Sequence, residues 1–152
     1  MNQFKFWQRW LLITSLGFAL FGVLLACWGN NLLFKFYFDT VASAIYHSDH
    51  LPADADRFRG FASGPLGGTI ACCYLLTAFI AAYPFNNKER WAWYAIAVCY
   101  LTWFIIDSWV CIHYGVYFQA WLINGFSVIV KALPLMMCYK YFFGKEITER
   151  YK

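Results

Sequence analysis

Charge is scarce in this sequence: Asp, Glu, Lys and Arg make up only 13% of its 152 residues, against roughly 25% in a soluble domain. It also has no Cys-x-x-Cys pair, no glycine-rich phosphate or dinucleotide loop and no serine-nucleophile signature. A water-solvated fold of this size needs far more polar surface, which excludes a soluble globular domain. The missing motifs exclude the enzyme classes that depend on them, and no cofactor is expected.

What the sequence has instead is apolar length, with 62% hydrophobic and 23% aromatic residues. A helix that crosses the hydrocarbon core needs about 20 apolar residues, and four runs approach or exceed this length. They predict spans at about residues 10–28, 65–84, 91–113 and 117–139. The expected fold is an all-α integral membrane four-helix bundle, a single domain over residues 1–152, with one long outer excursion at 29–64.

Basic residues predict the orientation, because lysine and arginine accumulate in cytoplasmic loops. With the N-terminus inside, eight of the twelve lie on the inner side, three on the outer side and one within a span. Both termini are therefore predicted to be cytoplasmic, in a bacterial cytoplasmic membrane. The net charge of +4 then reflects topology and not nucleic-acid binding. The eight inner residues are Lys5, Arg9, Lys88, Arg90, Lys140, Lys145, Arg150 and Lys152.

The first half of the outer excursion has helical periodicity, with an apolar face and a polar face between Leu32 and Tyr46. At 15 residues this segment is too short to cross the bilayer. We expect an amphipathic helix that lies at the outer interface or docks over the bundle.

Small residues recur at helical spacing on the first two spans, and such stripes let membrane helices approach closely. The pattern predicts that these two helices pack together. The first span carries the stripe Ser15, Ala19, Gly22 and Ala26. The second carries two stripes, one of Gly64, Gly68 and Cys72 and one of Ala78 and Ala82.

Two ionisable residues, Asp107 and Lys131, fall inside spans, where a charge is expensive. Asp107 and Asn124 lie at about the same depth on the hairpin formed by the last two spans, which predicts that they are in contact.

For Lys131 the favoured interpretation is a head group that snorkels to the inner interface, with a ligand or proton role as the alternative. Pro134 leaves the carbonyl of Val130 without its usual helical partner.

An aromatic cavity in the outer half is the leading hypothesis for function, roofed by the amphipathic segment. It predicts a non-enzymatic protein that binds a lipophilic small molecule, a lipid or a membrane partner, besides the surrounding bilayer. The competing interpretation is that the aromatic residues only fill the bundle. The candidate ligand-binding residues are Trp103, Asp107, Trp109, His113, Tyr117, Asn124 and Lys131.

Two other classes of function stay open. The first is an enzyme acting on lipid-like substrates, with Asp107 as acid or base and His113 or Asn124 assisting. The second is a small transporter in which Asp107 and Lys131 share one water-accessible path.

Metal and redox sites have weaker support. His47, Asp49 and His50 could hold a divalent ion, but no spacing matches a zinc motif, and no metal site is predicted. Four spans resemble the format of quinone-coupled thiol oxidoreductases, which need paired outer cysteines that this excursion lacks. A disulfide between Cys27 and Cys111, both near the outer boundary, is the remaining redox hypothesis, set against their use as small apolar residues.

Overall fold

The computed structural model describes residues 3–29, 31–48 and 51–144, and all regular structure within these ranges is helical. The all-α prediction is therefore confirmed for the described part of the chain. The helices are α1 (Gln3–Trp28), α2 (Leu32–Tyr46), α3 (Ala53–Ala82), α4 (Arg90–His113) and α5 (Gly125–Phe143), with a π-helical segment, Gln119–Asn124, leading directly into α5.

Four helices are long and apolar enough to cross a membrane: α1, α3, α4 and the continuous helix Gln119–Phe143. Large apolar side chains cover their outer surfaces, whereas several polar side chains are buried between them. Such an apolar outer surface suits a hydrocarbon solvent. The composition thus correctly predicted an integral membrane protein with four membrane-length helices.

The start of α3 differs from the prediction. The helix begins at Ala53, twelve residues before the expected start of the second span, and continues through Pro65. Asp54 and Asp56 lie in its first turn, where the helix dipole favours acidic side chains. Its 30 residues correspond to about 45 Å, longer than the roughly 30 Å hydrocarbon core. Most of the second half of the expected loop is therefore helix.

The close contact in the structure is between α1 and α3. A Cβ added to Gly22 would lie 2.6 Å from Ala71 N, and one added to Gly67 would meet the Gly22 carbonyl oxygen. Gly64 and Gly68 face open space, with no atom within 4 Å of an added Cβ. The predicted packing of the two helices is confirmed. The stripe expected at Gly64, Gly68 and Cys72 was wrong by one position, whereas Ala78 of the other predicted stripe is buried. The buried residues of α3 are Ser63, Gly67, Ala71, Ala78 and Ala81.

Indole N–H groups bind α5 to its neighbours through backbone carbonyls. Trp10 of α1 donates to the carbonyl oxygen of Val130 at 3.1 Å. This is the carbonyl that Pro134 deprives of its helical partner, so the proline creates an acceptor that α1 uses. Trp93 of α4 donates to the carbonyl oxygen of Leu135 at 2.9 Å.

The two ends of the structure differ in what they contain. At the terminal end, the start of α1, the α3–α4 connection and the end of α5 come together. Lys5 donates to Asn86 at 2.6 Å and Lys140 donates to Gln3 at 3.2 Å. At the other end, called the α2 end, apolar residues of α2 pack near the α4–α5 connection. This cluster comprises Val41, Ala44, Cys111, Val116, Phe118 and Ala120.

We predict that Gly67→Ala lowers the free energy of unfolding by about 1–3 kcal/mol, because its new methyl group collides with the α1 backbone. Gly68→Ala is the matched control. It should change the free energy of unfolding by less than about 0.5 kcal/mol, because no atom lies within 4 Å of the added methyl group. Unfolding of both variants in detergent micelles provides the measurement. Equal effects would show that α1 and α3 do not pack through this face.

Candidate functional site

The amphipathic segment forms α2 with the predicted bounds and is docked against the helices at its end of the structure. Asn31 caps its first turn by accepting a hydrogen bond from the Leu32 backbone N–H at 2.7 Å. The Tyr37 hydroxyl donates to Gln119 Oε1 at 2.5 Å, and its ring meets Phe118 edge-on at 6.0 Å. One hydrogen bond and a small apolar patch thus hold α2 on the π-helical segment.

Tyr37 is protonated across the neutral pH range. Burial raises its pKa to about 12, and the neighbouring Cys111 and Asp107 act in the same direction. The hydroxyl therefore remains a hydrogen-bond donor to Gln119.

Asp107 is the centre of a polar network between α4 and the π-helical segment. Its Oδ2 accepts hydrogen bonds from Asn124 at 2.7 Å, Gln119 at 3.3 Å and the Cys111 thiol at 3.6 Å. Asn124, which is buried, also donates to Ser108 Oγ at 3.1 Å. The predicted contact between Asp107 and Asn124 is confirmed. Oδ1 accepts no hydrogen bond from the described residues, and no cation there pairs with this carboxylate.

The π-helical turn explains how two side chains of one helix reach the same oxygen atom. A π-helix hydrogen-bonds residue i to residue i+5, so residues five apart lie nearly above one another. Gln119 and Asn124 are five apart, and both donate to Asp107 Oδ2. In a regular α-helix they would point in directions about 140° apart. The wide turn is therefore what assembles the network.

The remaining residues of the predicted cavity lie elsewhere. Trp103 and Trp109 are 36% and 66% exposed, and Tyr117 is also exposed. The His113 ring stacks on Trp109 at 5.7 Å and is exposed, with no hydrogen bond to Asp107. The structure thus brings Asp107 and Asn124 together and leaves these aromatic side chains on the outer surface.

A cleft of about 500 Å³ lies between α2 and the first turns of α3. It is lined in part by two ion pairs, Lys35–Asp39 at 2.8 Å and Arg59–Asp56 at 2.6 Å. None of the predicted cavity residues lines it. Its charged side chains already neutralise one another in pairs.

Lys131 occupies a separate site in which all four membrane-length helices meet. The side chain of this α5 residue is 1% exposed, and its Nζ donates to Thr14 Oγ1 and Ser15 Oγ of α1, each at 3.1 Å. Three aromatic rings face the ammonium, within the range of cation–π attraction. The rings are Phe18 of α1 and Tyr74 of α3, each at 5.0 Å, and Tyr100 of α4 at 5.8 Å.

The two hydroxyl groups are set to accept from this ammonium. Thr14 donates to the Trp10 carbonyl oxygen at 2.8 Å, and Ser15 donates to that of Leu11 at 2.7 Å. Because each hydroxyl proton is used on the backbone of α1, the oxygen lone pairs face outward. Hydroxyl acceptors and aromatic faces together replace the water shell of the ammonium.

The favoured prediction for Lys131 was wrong, because its head group does not snorkel to the interface. The continuous helix Gln119–Phe143 extends beyond the predicted span, which places Lys131 at its middle, about 18 Å from either end. At that depth the hydroxyl and aromatic cage is the nearest polar environment. No carboxylate among the described residues pairs with it.

The metal and disulfide hypotheses find no support in the described residues. His47 is exposed at the end of α2, and Asp49 and His50 lie outside the described residues. Within the described ranges no group of three His, Cys, Asp or Glu side chains is placed to hold a metal ion. All six cysteines are free, including Cys27 and Cys111.

Sequence reasoning missed Gln119, Tyr37 and the members of the Lys131 cage. Gln119 carries a detectable signal, because it is an uncharged polar residue at the start of a span, five positions before Asn124. The Lys131 cage gives almost no signal in the sequence, because its rings come from three different helices of a chain that is rich in aromatic residues. No family model, curated protein or solved structure matches this chain.

We predict that the cage is energetically coupled to the charge of Lys131. Ser15→Ala should lower the free energy of unfolding by about 1–3 kcal/mol, because the buried ammonium loses an acceptor. In a Lys131→Met background the same change should cost clearly less, since no ammonium then needs the oxygen. Thr69→Val, on an exposed hydroxyl that bonds only within α3, serves as the control. Equal costs of Ser15→Ala in both backgrounds would refute the coupling.

Proposed function

We propose that this chain is a four-helix membrane bundle that binds a lipophilic molecule carrying a hydrogen-bond donor, and that the donor meets Asp107. The observation that supports the proposal is the unequal use of the two carboxylate oxygens. Three neutral donors converge on Oδ2, whereas Oδ1 accepts none from the described residues. A carboxylate within a membrane-length helix strongly favours a further donor or a cation, because neither water nor lipid tails compensate its charge there.

A membrane-soluble amine fits this arrangement best. Asp107 is only half-buried, so part of the residue is open to a ligand. The exposed Trp103, four residues earlier on α4, offers an apolar surface on the same side of that helix. An ammonium would give Oδ1 a charge-assisted hydrogen bond, and an alkyl chain would lie along the aromatic surface.

The enzyme and transporter alternatives have less support from the geometry. Acid–base catalysis by Asp107 requires a second group within hydrogen-bond reach of the same substrate atom, and His113 instead stacks on Trp109. Transport would require Asp107 and Lys131 to share a path. The Lys131 head group faces α1 and the rings around it, whereas the Asp107 carboxylate faces the π-helical segment.

A labelled ligand tests the proposal. A dansyl-labelled long-chain alkylamine should bind the purified protein in detergent, as measured by energy transfer from tryptophan. Asp107→Asn should weaken binding of the amine about tenfold or more, because an uncharged amide oxygen replaces the carboxylate oxygen as the hydrogen-bond acceptor. The amide can still present an oxygen to Asn124, so the fold should be retained.

Two controls isolate the role of Asp107. Asp54→Asn removes one acidic charge from an exposed position on α3 and should leave binding unchanged. A dansyl-labelled alcohol of the same chain length should bind more weakly and respond less to Asp107→Asn. Equal binding of the amine to wild type and Asp107→Asn would rule out this role.

The proposed orientation places both termini in the cytoplasm and α2 outside, in a bacterial cytoplasmic membrane. We predict that a cysteine replacing the exposed Ala53, on a cysteine-free background, reacts with an impermeant maleimide in intact cells. A cysteine replacing Lys88, at the terminal end, should react only after permeabilisation. The reverse pattern would overturn the orientation.

A further inference from the structure

The terminal end concentrates positive charge that no described carboxylate balances. Glu89 is the acidic residue in this part of the described chain, and its Oε2 accepts the indole N–H of Trp91 at 2.6 Å. The sequence beyond residue 144 adds three basic and two acidic residues, which does not reverse the sign. The cations at this end that form no ion pair within the described residues include Lys5, Lys88, Arg90 and Lys140.

Two of these cations lie against one aromatic ring. Lys88 Nζ is 5.7 Å from the centre of the Tyr141 ring, and Lys140 Nζ is 5.1 Å from it. Both ammonium groups are attracted to the ring, but they also repel each other. An anion between them would remove that repulsion and gain two charge-assisted contacts.

A tight turn fixes the backbone that carries one of the two ammonium groups. Lys88 has a φ of +61°, in the left-handed region that few side chains other than asparagine tolerate. Its N–H donates to the Phe85 carbonyl oxygen at 3.0 Å, and the next N–H donates to that of Pro84 at 2.9 Å. From this tight turn between α3 and α4 the Lys88 side chain reaches two rings, with its Nζ 5.4 Å from the centre of the Phe4 ring and 5.7 Å from that of Tyr141.

We propose that this end binds the headgroup of an anionic phospholipid, with Lys88 and Lys140 contacting the phosphate. A lipid fits better than a soluble anion because exposed aromatic surface lies at the same end of the helices as the charged groups. Arg90 lies 5.8 Å from the Phe143 ring, and the exposed Tyr94 and Tyr139 stand beside that ring. These rings offer a surface for the acyl chains.

The opposite end gives the comparison within the same molecule. There Lys35 pairs with Asp39 and Arg59 pairs with Asp56, so two of its cations are already neutralised. The lipid proposal rests on the terminal end alone and is independent of ligand binding at Asp107.

Native mass spectrometry of the full chain in mild detergent tests the proposal with phosphatidylglycerol and phosphatidylcholine of identical acyl chains. The wild type should retain phosphatidylglycerol several-fold better than phosphatidylcholine. Lys88→Asn with Lys140→Gln should reduce this preference by about fivefold for each charge removed. Asparagine suits the left-handed backbone at position 88, so the turn should be preserved. If the double variant unfolds, Lys140→Gln alone should still show the single-charge loss.

Three comparisons keep the test specific. Lys88→Arg with Lys140→Arg should retain the preference, because the positive charges remain. Lys35→Gln with Arg57→Gln removes the same charge from the α2 end and should leave the preference unchanged. Millimolar glycerol phosphate should not displace the bound lipid. Loss of preference in the α2-end variant, no loss in the terminal-end variants, or displacement by glycerol phosphate would each overturn the proposal.

Discussion

One buried ammonium imposes the strictest constraint on this structure. Lys131 lies at the middle of its helix and draws its partners from α1, α3 and α4. Apolar surfaces cannot specify how helices pair in lipid, because lipid tails are as apolar as the side chains. A charge that must find hydroxyl oxygens and aromatic faces can specify it, since rotating or sliding any one helix by a turn removes part of the cage. The buried charge therefore favours one mutual register of the four helices, at some cost in stability.

The other contacts between helices follow the same rule of satisfying polar groups. The carbonyl that Pro134 frees on Val130 accepts from Trp10, and the buried Gln8 donates to the Ala81 carbonyl oxygen at 2.9 Å. The α1–α3 interface adds close backbone contact at glycine. Asp107 is different, because it is only half-buried and its Oδ1 accepts no hydrogen bond from the described residues.

Prediction from the sequence succeeded where placing a residue in the wrong environment would cost a large free energy. Charge scarcity and run length were enough to predict four membrane-length helices, and the shared depth of Asp107 and Asn124 predicted their contact. Prediction failed where the packing face of a helix depends on small differences between neighbouring surfaces. Gly67 and Gly68 are chemically identical, and only the packing of α1 against the first distinguishes them. The π-helical turn and the burial of Lys131 likewise depend on partners from other helices, which periodicity along one helix does not reveal.

The two ends of the molecule differ in the charged groups that they carry. At the α2 end, Lys35 and Arg59 are paired with acidic residues, whereas the Asp107 carboxylate pairs with no cation among the described residues. At the terminal end, the unpaired groups are cations in the turn between α3 and α4 and near the end of α5. A membrane supplies a complement for each, because amphipathic amines partition into it and many of its lipids carry anionic headgroups. If both proposals hold, the charge asymmetry that orients such a chain during insertion also places these cations against anionic lipid, and an amine reaches Asp107 from the hydrocarbon.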